Sequence, residues 1–219
     1  VDQGDRGQLM TVTSGAVDPL GHRVAFGVGS GLGVKHAAML SSGELALGTN
    51  EMGHIGLGYP PCMSVLEKSF HEDFIDFLHR QGSSVTFQAV LSGSGLARLH
   101  QFIQGSAEPL APEHVAAQIL SSGEMETLEW FAWYLGLFIG TVQLTFMPAG
   151  GIWLYGGVIQ KNLTLFEGAC LTRLRRGIEA CPAYWEKRQQ FPLHVLLGQE
   201  HAFFGAAYYA EKHFQLLYV

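Results

Sequence analysis

The chain has 219 residues, 47% of them hydrophobic and only 15% charged, which supplies core for one large domain or two small ones and excludes a largely disordered chain. Its formal net charge of -6 is interrupted by no long basic run, which argues against nucleic acid as the main partner. Three cysteines, Cys62, Cys170 and Cys181, form no Cys-x-x-Cys pair, so neither a disulfide framework nor a zinc knuckle is indicated, and the reduced cytosol fits best.

Val1 to His22 is rich in Gly, Asp, Gln, Ser and Thr, has one short apolar patch at Leu9 to Val12, and is expected to be an irregular lead-in. Asp2, Asp5 and Arg6 precede no apolar run, so nothing there has the form of a signal peptide. Val1 in place of a methionine points to sequence removed upstream. From Val24 to Lys35, bulky Val24, Phe26 and Val28 alternate with Ala25, Gly27 and Gly29, predicting a strand with one bulky and one nearly bare face. The glycines of Gly29-Ser30-Gly31-Leu32-Gly33 permit positive φ and leave N–H groups unobstructed, the chemistry of an anion-cradling turn. Val34 to Leu40 has no helix start signal and reads as a second strand. The spacing is no dinucleotide fingerprint, because Val34 or Leu32 stands where the last glycine belongs, and no P-loop, because Lys35 follows a valine. A phosphate cradle and a plain glycine hairpin both fit these residues.

Ser41-Ser42-Gly43 makes a turn, Leu45 to Leu47 a short strand, and Gly48 to Gly58 a polar loop holding Glu51 and His54. Three apart, with a glycine between them, a carboxylate and an imidazole can point at one spot. That pair suits a polyol, since one accepts from hydroxyls and the other donates or accepts; plain surface residues are the alternative. Gly48, Gly53, Gly56 and Gly58 suggest backbone pressed close to a ligand.

From Cys62 the period turns helical, with Met63, Leu66, Phe70, Phe74, Phe77 and Leu78 as a core stripe closed by Gly82. Val85 to Ser92, which contains Gln88, alternates as a strand. Gly93-Ser94-Gly95 turns into a short helix from Leu96 to Ile103, and Glu113 to Leu120 is another. His71, His79 and His100 have no partners at metal-ligand spacing and read as surface or half-buried residues. Trp130 to Met147 carries no charge and as a helix would run about 27 Å at about 1.5 Å per residue. With Glu126 and Glu129 at one end, Pro148 at the other and no basic flank, it reads as a buried core helix rather than a membrane span. Gly150 to Gln160 is then a buried strand ended by Gly156-Gly157 at its carboxyl edge, where α/β folds place ligands. A helix from Leu163 to Ile178, a strand from Leu193 to Leu197 and a helix from Ala202 to Lys212 complete the pattern.

The Gly29-Ser30-Gly31 turn between strands, Glu51-x-x-His54, Leu91-Ser92-Gly93-Ser94-Gly95-Leu96 and Leu154-Tyr155-Gly156-Gly157 occur in this order. Together, from about Arg23 to about His213, they resemble the large C-terminal domain of the bacterial-type glucokinases, members of the actin-like and sugar-kinase superfamily. The resemblance implies an α/β fold, a ribonuclease-H-like, actin-type ATPase domain with a mixed five-stranded sheet flanked by helices, over residues 23–219. It implies ATP with Mg2+ as phosphoryl donor, glucose or a close hexose as acceptor, a homodimer, and a cytoplasmic protein of glycolysis. Gly29, Ser30, Gly31, Gly156 and Gly157 are implied at the nucleotide, and Glu51 and His54 at the sugar hydroxyls.

Two departures stand out. The family has a further sugar-binding glutamate just before its Val-Leu-Ser-Gly sequence, and the matching residue here is Gln88. The Asp-Gly-Gly-Thr phosphate loop and the Asn-Asp whose aspartate takes the sugar proton are both missing. The smaller N-terminal domain that bears them is therefore expected upstream of this chain, which is expected to be inactive by itself because phosphoryl transfer depends on the complete constellation. No residue here is assigned as catalytic base or metal ligand. A non-catalytic, sugar-sensing relative of the sugar kinases is the alternative, and the upstream sequence would discriminate the two.

Overall fold

A computed structural model of the chain describes residues 9–108, 110–198, 200, 205–207 and 210. Strands β1 to β6 span Leu9–Thr13, Arg23–Val28, Leu32–Met39, Leu45–Thr49, Gly151–Tyr155 and Leu193–Leu196. Helices α1 to α5, Val65–Arg80, Phe87–Val90, Gly93–Gln104, Pro112–Ser122 and Glu126–Phe146, lie between β4 and β5; α6, α7 and α8 are Gly157–Lys161, Gly168–Glu179 and Trp185–Arg188.

The sheet has six strands in the order β1-β6-β5-β2-β3-β4. Five of them form the expected mixed sheet: β2, β3 and β4 are an antiparallel meander, and β5 and β6 join β2 in parallel. The sixth corrects the expected count. Leu9–Thr13, inside the stretch read as an irregular lead-in, pairs antiparallel with β6 and is interrupted by a shift between Thr11 and Thr13. Its residues are at most half-buried, so it lacks the alternation that marks a strand, and its partner lies at the far end of the chain. Val24, Phe26 and Val28 of β2 are buried, as their alternation requires. The lead-in before Leu9, and most of the helix expected from Ala202 to Lys212, fall outside the described residues.

Helix α5 is the centre of the core. Trp133, Tyr134, Phe138 and Ile139 are fully buried, and Phe138 meets Phe26 of β2 edge-on with ring centroids 5.2 Å apart. Among the described residues no helix is long and apolar enough to cross a membrane. Helix α7 lies so close to α5 that a side chain at Gly136 would strike the Leu174 carbonyl, and one at Gly177 the Trp133 carbonyl. The two glycines let the helix backbones touch.

Two buried charges fasten this layer. The carboxylate of Glu67, on α1, accepts from Arg176 of α7 at 2.8 and 2.9 Å and from the Trp133 indole at 3.2 Å. Burial pushes its pKa up, yet these bonds and the one from the Ser64 amide outweigh that and hold it below its ordinary value. Arg188 is buried with no carboxylate against it among the described residues. Its guanidinium donates to the carbonyls of Ala183 and Ile178 at 2.9 and 3.2 Å, to Cys181 O, and to Gln143 Oε1 at 3.2 Å, where carbonyls from the end of α7 and beyond carry the compensating negative dipole.

Other expectations are corrected locally. Val85 to Ser92 is not a strand: the Thr86 side chain accepts from the Ala89 amide at 3.3 Å and starts α2 instead. The helix expected from Leu163 is a 3-10 turn over Leu163–Phe166 followed by α7, separated at Gly168 with φ 49°. Leu66 is 61% exposed because it stands in the first turn of α1, beyond the edge of the core. His71 and His100 are fully buried rather than superficial, paired through Nδ1 with the Tyr134 hydroxyl at 3.1 Å and the Thr127 hydroxyl at 2.9 Å.

Candidate functional site

The β2–β3 hairpin closes on Gly29-Ser30-Gly31, with Val28 paired to Leu32 and the Gly29 amide donating to Gly31 O at 2.9 Å. None of the three glycines at the tip and beyond, Gly29, Gly31 and Gly33, has positive φ; their use here is space. Nothing lies within 4 Å of where a Cβ on Gly29 or Gly33 would stand. Gly27, by contrast, is roofed by the Tyr155 ring, 2.6 Å from its would-be Cβ, so the bare face of β2 is open at Gly29 and partly covered at Gly27.

A shallow groove of about 420 Å³ runs along this hairpin, lined by Gly29, Ser30, Gly31, Glu51, Gln88 and Gly156 among others. Glu51 is brought there by the 3-10 turn Met52–His54, whose Met52 and Gly53 are buried. The turn is pressed onto β3: a side chain at Gly53 would strike Leu32 O. Asn50 Oδ1 accepts from the Met52 amide at 3.1 Å and fixes its start. Gly48 is similarly covered by the His36 ring. Gly48 and Gly53 therefore serve the chain's own packing, whereas a Cβ at Gly56 would meet only Val85 O at 3.6 Å and one at Gly58 nothing within 4 Å. Past the turn, Leu57 donates to Val85 O and Phe87 to Ile55 O, both at 3.0 Å, and this pairing carries Gln88 to the same groove. Gln88 Oε1 accepts from the Leu32 amide at 3.2 Å. His54 is not among the groove's lining residues; its Nε2 stands 4.0 Å from Glu51 Oε2, with both side chains largely exposed.

On the other side of Gly29 and Ser30 is a second cleft of about 570 Å³, lined also by Gly93, Ser94, Leu96, Pro112, Glu113, Val158, Lys161 and Asn162. The Gly93 amide donates to Gly29 O at 2.8 Å, tying the start of α3 to the hairpin. That start is capped by Ser92, whose Oγ accepts from the Gly95 amide at 3.0 Å. Gly156 has φ 104°, and its would-be Cβ lies 2.5 Å from Val28 O, so only glycine lets β5 end against β2 here. Gly157 is open and lines the second cleft. The floor is apolar (Leu96, Val158) and the rim polar (Ser94, Glu113, Lys161), the mixed lining of a small-molecule site.

The structure thus brings Gly29, Ser30, Gly31, Gly156, Glu51 and Gln88 to one groove, sets His54 beside Glu51, and places Gly157 in the adjoining cleft. Sequence reasoning assigned no place to Ser94, Glu113 and Lys161. Ser94 lies within a quoted motif and Lys161 four residues past the glycine pair, so both were findable; nothing in the sequence signals that α4 leans over the cleft. Among the described residues no group of three His, Cys, Asp or Glu gathers as a metal site.

The family model and the relatives similar in sequence are glucokinases. The glucokinase family model matches residues 1–213. A glucokinase of Chelativorans sp. (strain BNC1) is 28% identical over 210 residues, covering 92% of this chain and 58% of its own. The crystal structure of glucokinase from an Antarctic psychrotroph superposes with a TM-score of 0.74 at 23% identity, over 93% of this chain and 62% of that one. A ROK family glucokinase from Streptomyces griseus, solved in complex with glucose and AMPPNP, gives 0.52 at 17% identity, over 82% and 57%. At such identities the structures speak for the fold alone. The chain spans little more than half the length of the relatives it matches.

Proposed function

Because the chain belongs to the glucokinase family, matched over residues 1–213, we propose that residues 23–219 form the large C-terminal domain of a hexose kinase. The intact protein transfers the γ-phosphoryl group of ATP to glucose, giving glucose 6-phosphate. One observation carries this reading: the groove holding Glu51 and Gln88 and the cleft holding Gly93 and Gly157 have Gly29 and Ser30 in common. Phosphoryl transfer is catalysed almost entirely by placing donor and acceptor in line and stabilising the charge between them. A sugar in the first space and an adenosine in the second would direct the nucleotide's phosphates to the hairpin between them.

In this assignment Glu51 holds sugar hydroxyls, His54 supports that carboxylate from 4.0 Å away outside the groove's lining, and Gln88 faces the same ring, while Gly29, Ser30, Gly31, Gly156 and Gly157 follow the nucleotide. Among the described residues Glu51 is the one carboxylate lining the groove, and holding the sugar occupies it. Magnesium fits as an ion carried on the ATP phosphates, where it offsets their charge, since a lone groove carboxylate does not make a cage. No Asn-Asp pair occurs in the 219 residues, so the base for the 6-hydroxyl comes from outside them and the chain alone turns over poorly. A homodimer and a cytoplasmic location follow from the same likeness. Glucose 6-phosphate formation, measured for the chain alone and for the protein carrying its smaller domain, tests this. The chain alone should be slower by roughly 10²–10⁴-fold, the usual worth of a positioned base; equal rates, or no product from the larger protein, would contradict it.

A further inference from the structure

Gln88 lines the groove with one of its two polar atoms already engaged. Its carbonyl oxygen accepts from the Leu32 amide at 3.2 Å. The orientation of the side-chain amide is not arbitrary here, because a backbone N–H can be met only by an acceptor. The would-be Cβ of Gly31 lies 3.1 Å from the same oxygen, so the bare glycine is what lets Gln88 reach past the hairpin tip to that N–H. The remaining polar atom, the side-chain nitrogen, has no partner among the described residues. Position 88 therefore offers the groove two unengaged N–H donors, its oxygen keeping one lone pair beside the bond from Leu32, whereas Glu51 offers only acceptors when ionised.

We infer that the groove reads one ring position of its sugar in the donor sense: Gln88 donates to an oxygen that need not carry a proton. This rests on the sugar-site reading above and narrows its substrate class to hexoses with any acceptor at that position, including those with fluorine or a carbonyl oxygen in place of the hydroxyl. A carboxylate at 88 would invert the rule. It could still accept from the Leu32 amide with one oxygen, but its other would require an O–H from the sugar and would repel fluorine.

The test is a panel of glucose analogues, each deoxygenated or fluorinated at one ring carbon other than the reacting one, titrated into the wild-type chain and into Gln88→Glu by calorimetry. In the wild type, one position should keep the fluoro analogue within about threefold of glucose while the deoxy analogue binds about tenfold more weakly, the worth of about one hydrogen bond. In Gln88→Glu the fluoro analogue at that same position should fall by about tenfold or more against glucose, while the other positions keep their order. Wild-type rejection of fluoro and deoxy analogues alike at every position overturns the inference without need of the variant, and so does an unchanged pattern in Gln88→Glu. In both cases saturable glucose binding leaves the sugar site standing. Absence of glucose binding to the wild type overturns the site and this inference together.

Discussion

Glu51 is held in place by backbone rather than by its own side chain. The Asn50 cap and the Gly53 contact with Leu32 fix the turn, while the carboxylate itself stays 84% exposed, its nearest charged neighbour His54 at 4.0 Å. Glu51→Ala should therefore weaken glucose binding by about tenfold or more, the worth of a charge-assisted hydrogen bond, and leave the melting temperature unchanged. A variant that melts early, or binds glucose as before, would speak against the role. Elsewhere the titratable residues that matter are structural. Burial holds the His71 and His100 imidazoles below their ordinary 6.5, so on acidification the unfolded chain takes up protons first and stability falls as pH drops through that region. Glu67 acts in the same direction lower down, since its carboxyl is held below 4.5 and the stability it lends is lost as pH falls through its folded value. Thermal melts from pH 8 to pH 5 should decline below about pH 6.5; a flat profile would mean that these imidazoles titrate normally. At this scale adjacency in the chain carried the proximity of Glu51 and His54, 4.0 Å apart, but not which of the two lines the groove, which is Glu51. The sequence was silent on what His71 and His100 touch, because Tyr134 and Thr127 are distant in the chain.

Among the elements, α5 was legible because a long uncharged run bounded by acids and a proline admits few readings. Its neighbour is α7, whose Gly177 lies against Gly136 of α5 so that the two backbones touch. Gly136→Ala should destabilise the protein by about 1–3 kcal/mol through overpacking, against a gain of about 1 kcal/mol in helix propensity. Denaturant unfolding would show it, and a stabilised variant would refute the close contact. Helix α2 was misread for a definite reason. Val85 to Ser92 alternates as a strand does, but the Thr86 cap and the pairing with Ile55 and Leu57 override that pattern within a few residues. The cap was visible in the sequence; the pairing was not. Without that turn Gln88 would not face the hairpin.

For the whole molecule, the meander β2-β3-β4 and the parallel additions β5 and β6 could be anticipated from periodicity and the family likeness together. Strand β1 could not, because a half-buried edge strand carries little pattern and its partner is β6. The same topology puts the ends of β2 and β5 side by side, so that one three-residue hairpin tip separates two spaces. The central claim is that this tip is shared between a sugar and a nucleotide. Amide chemical shifts of the chain, followed during titration with glucose and separately with AMPPNP, test it most directly. Glucose should move Gly31, Leu32 and Met52, AMPPNP should move Gly93, Ser94 and Gly157, and both should move Gly29 and Ser30. Shifts from the two ligands that share no residue at the hairpin, or that cluster away from it, would contradict the account.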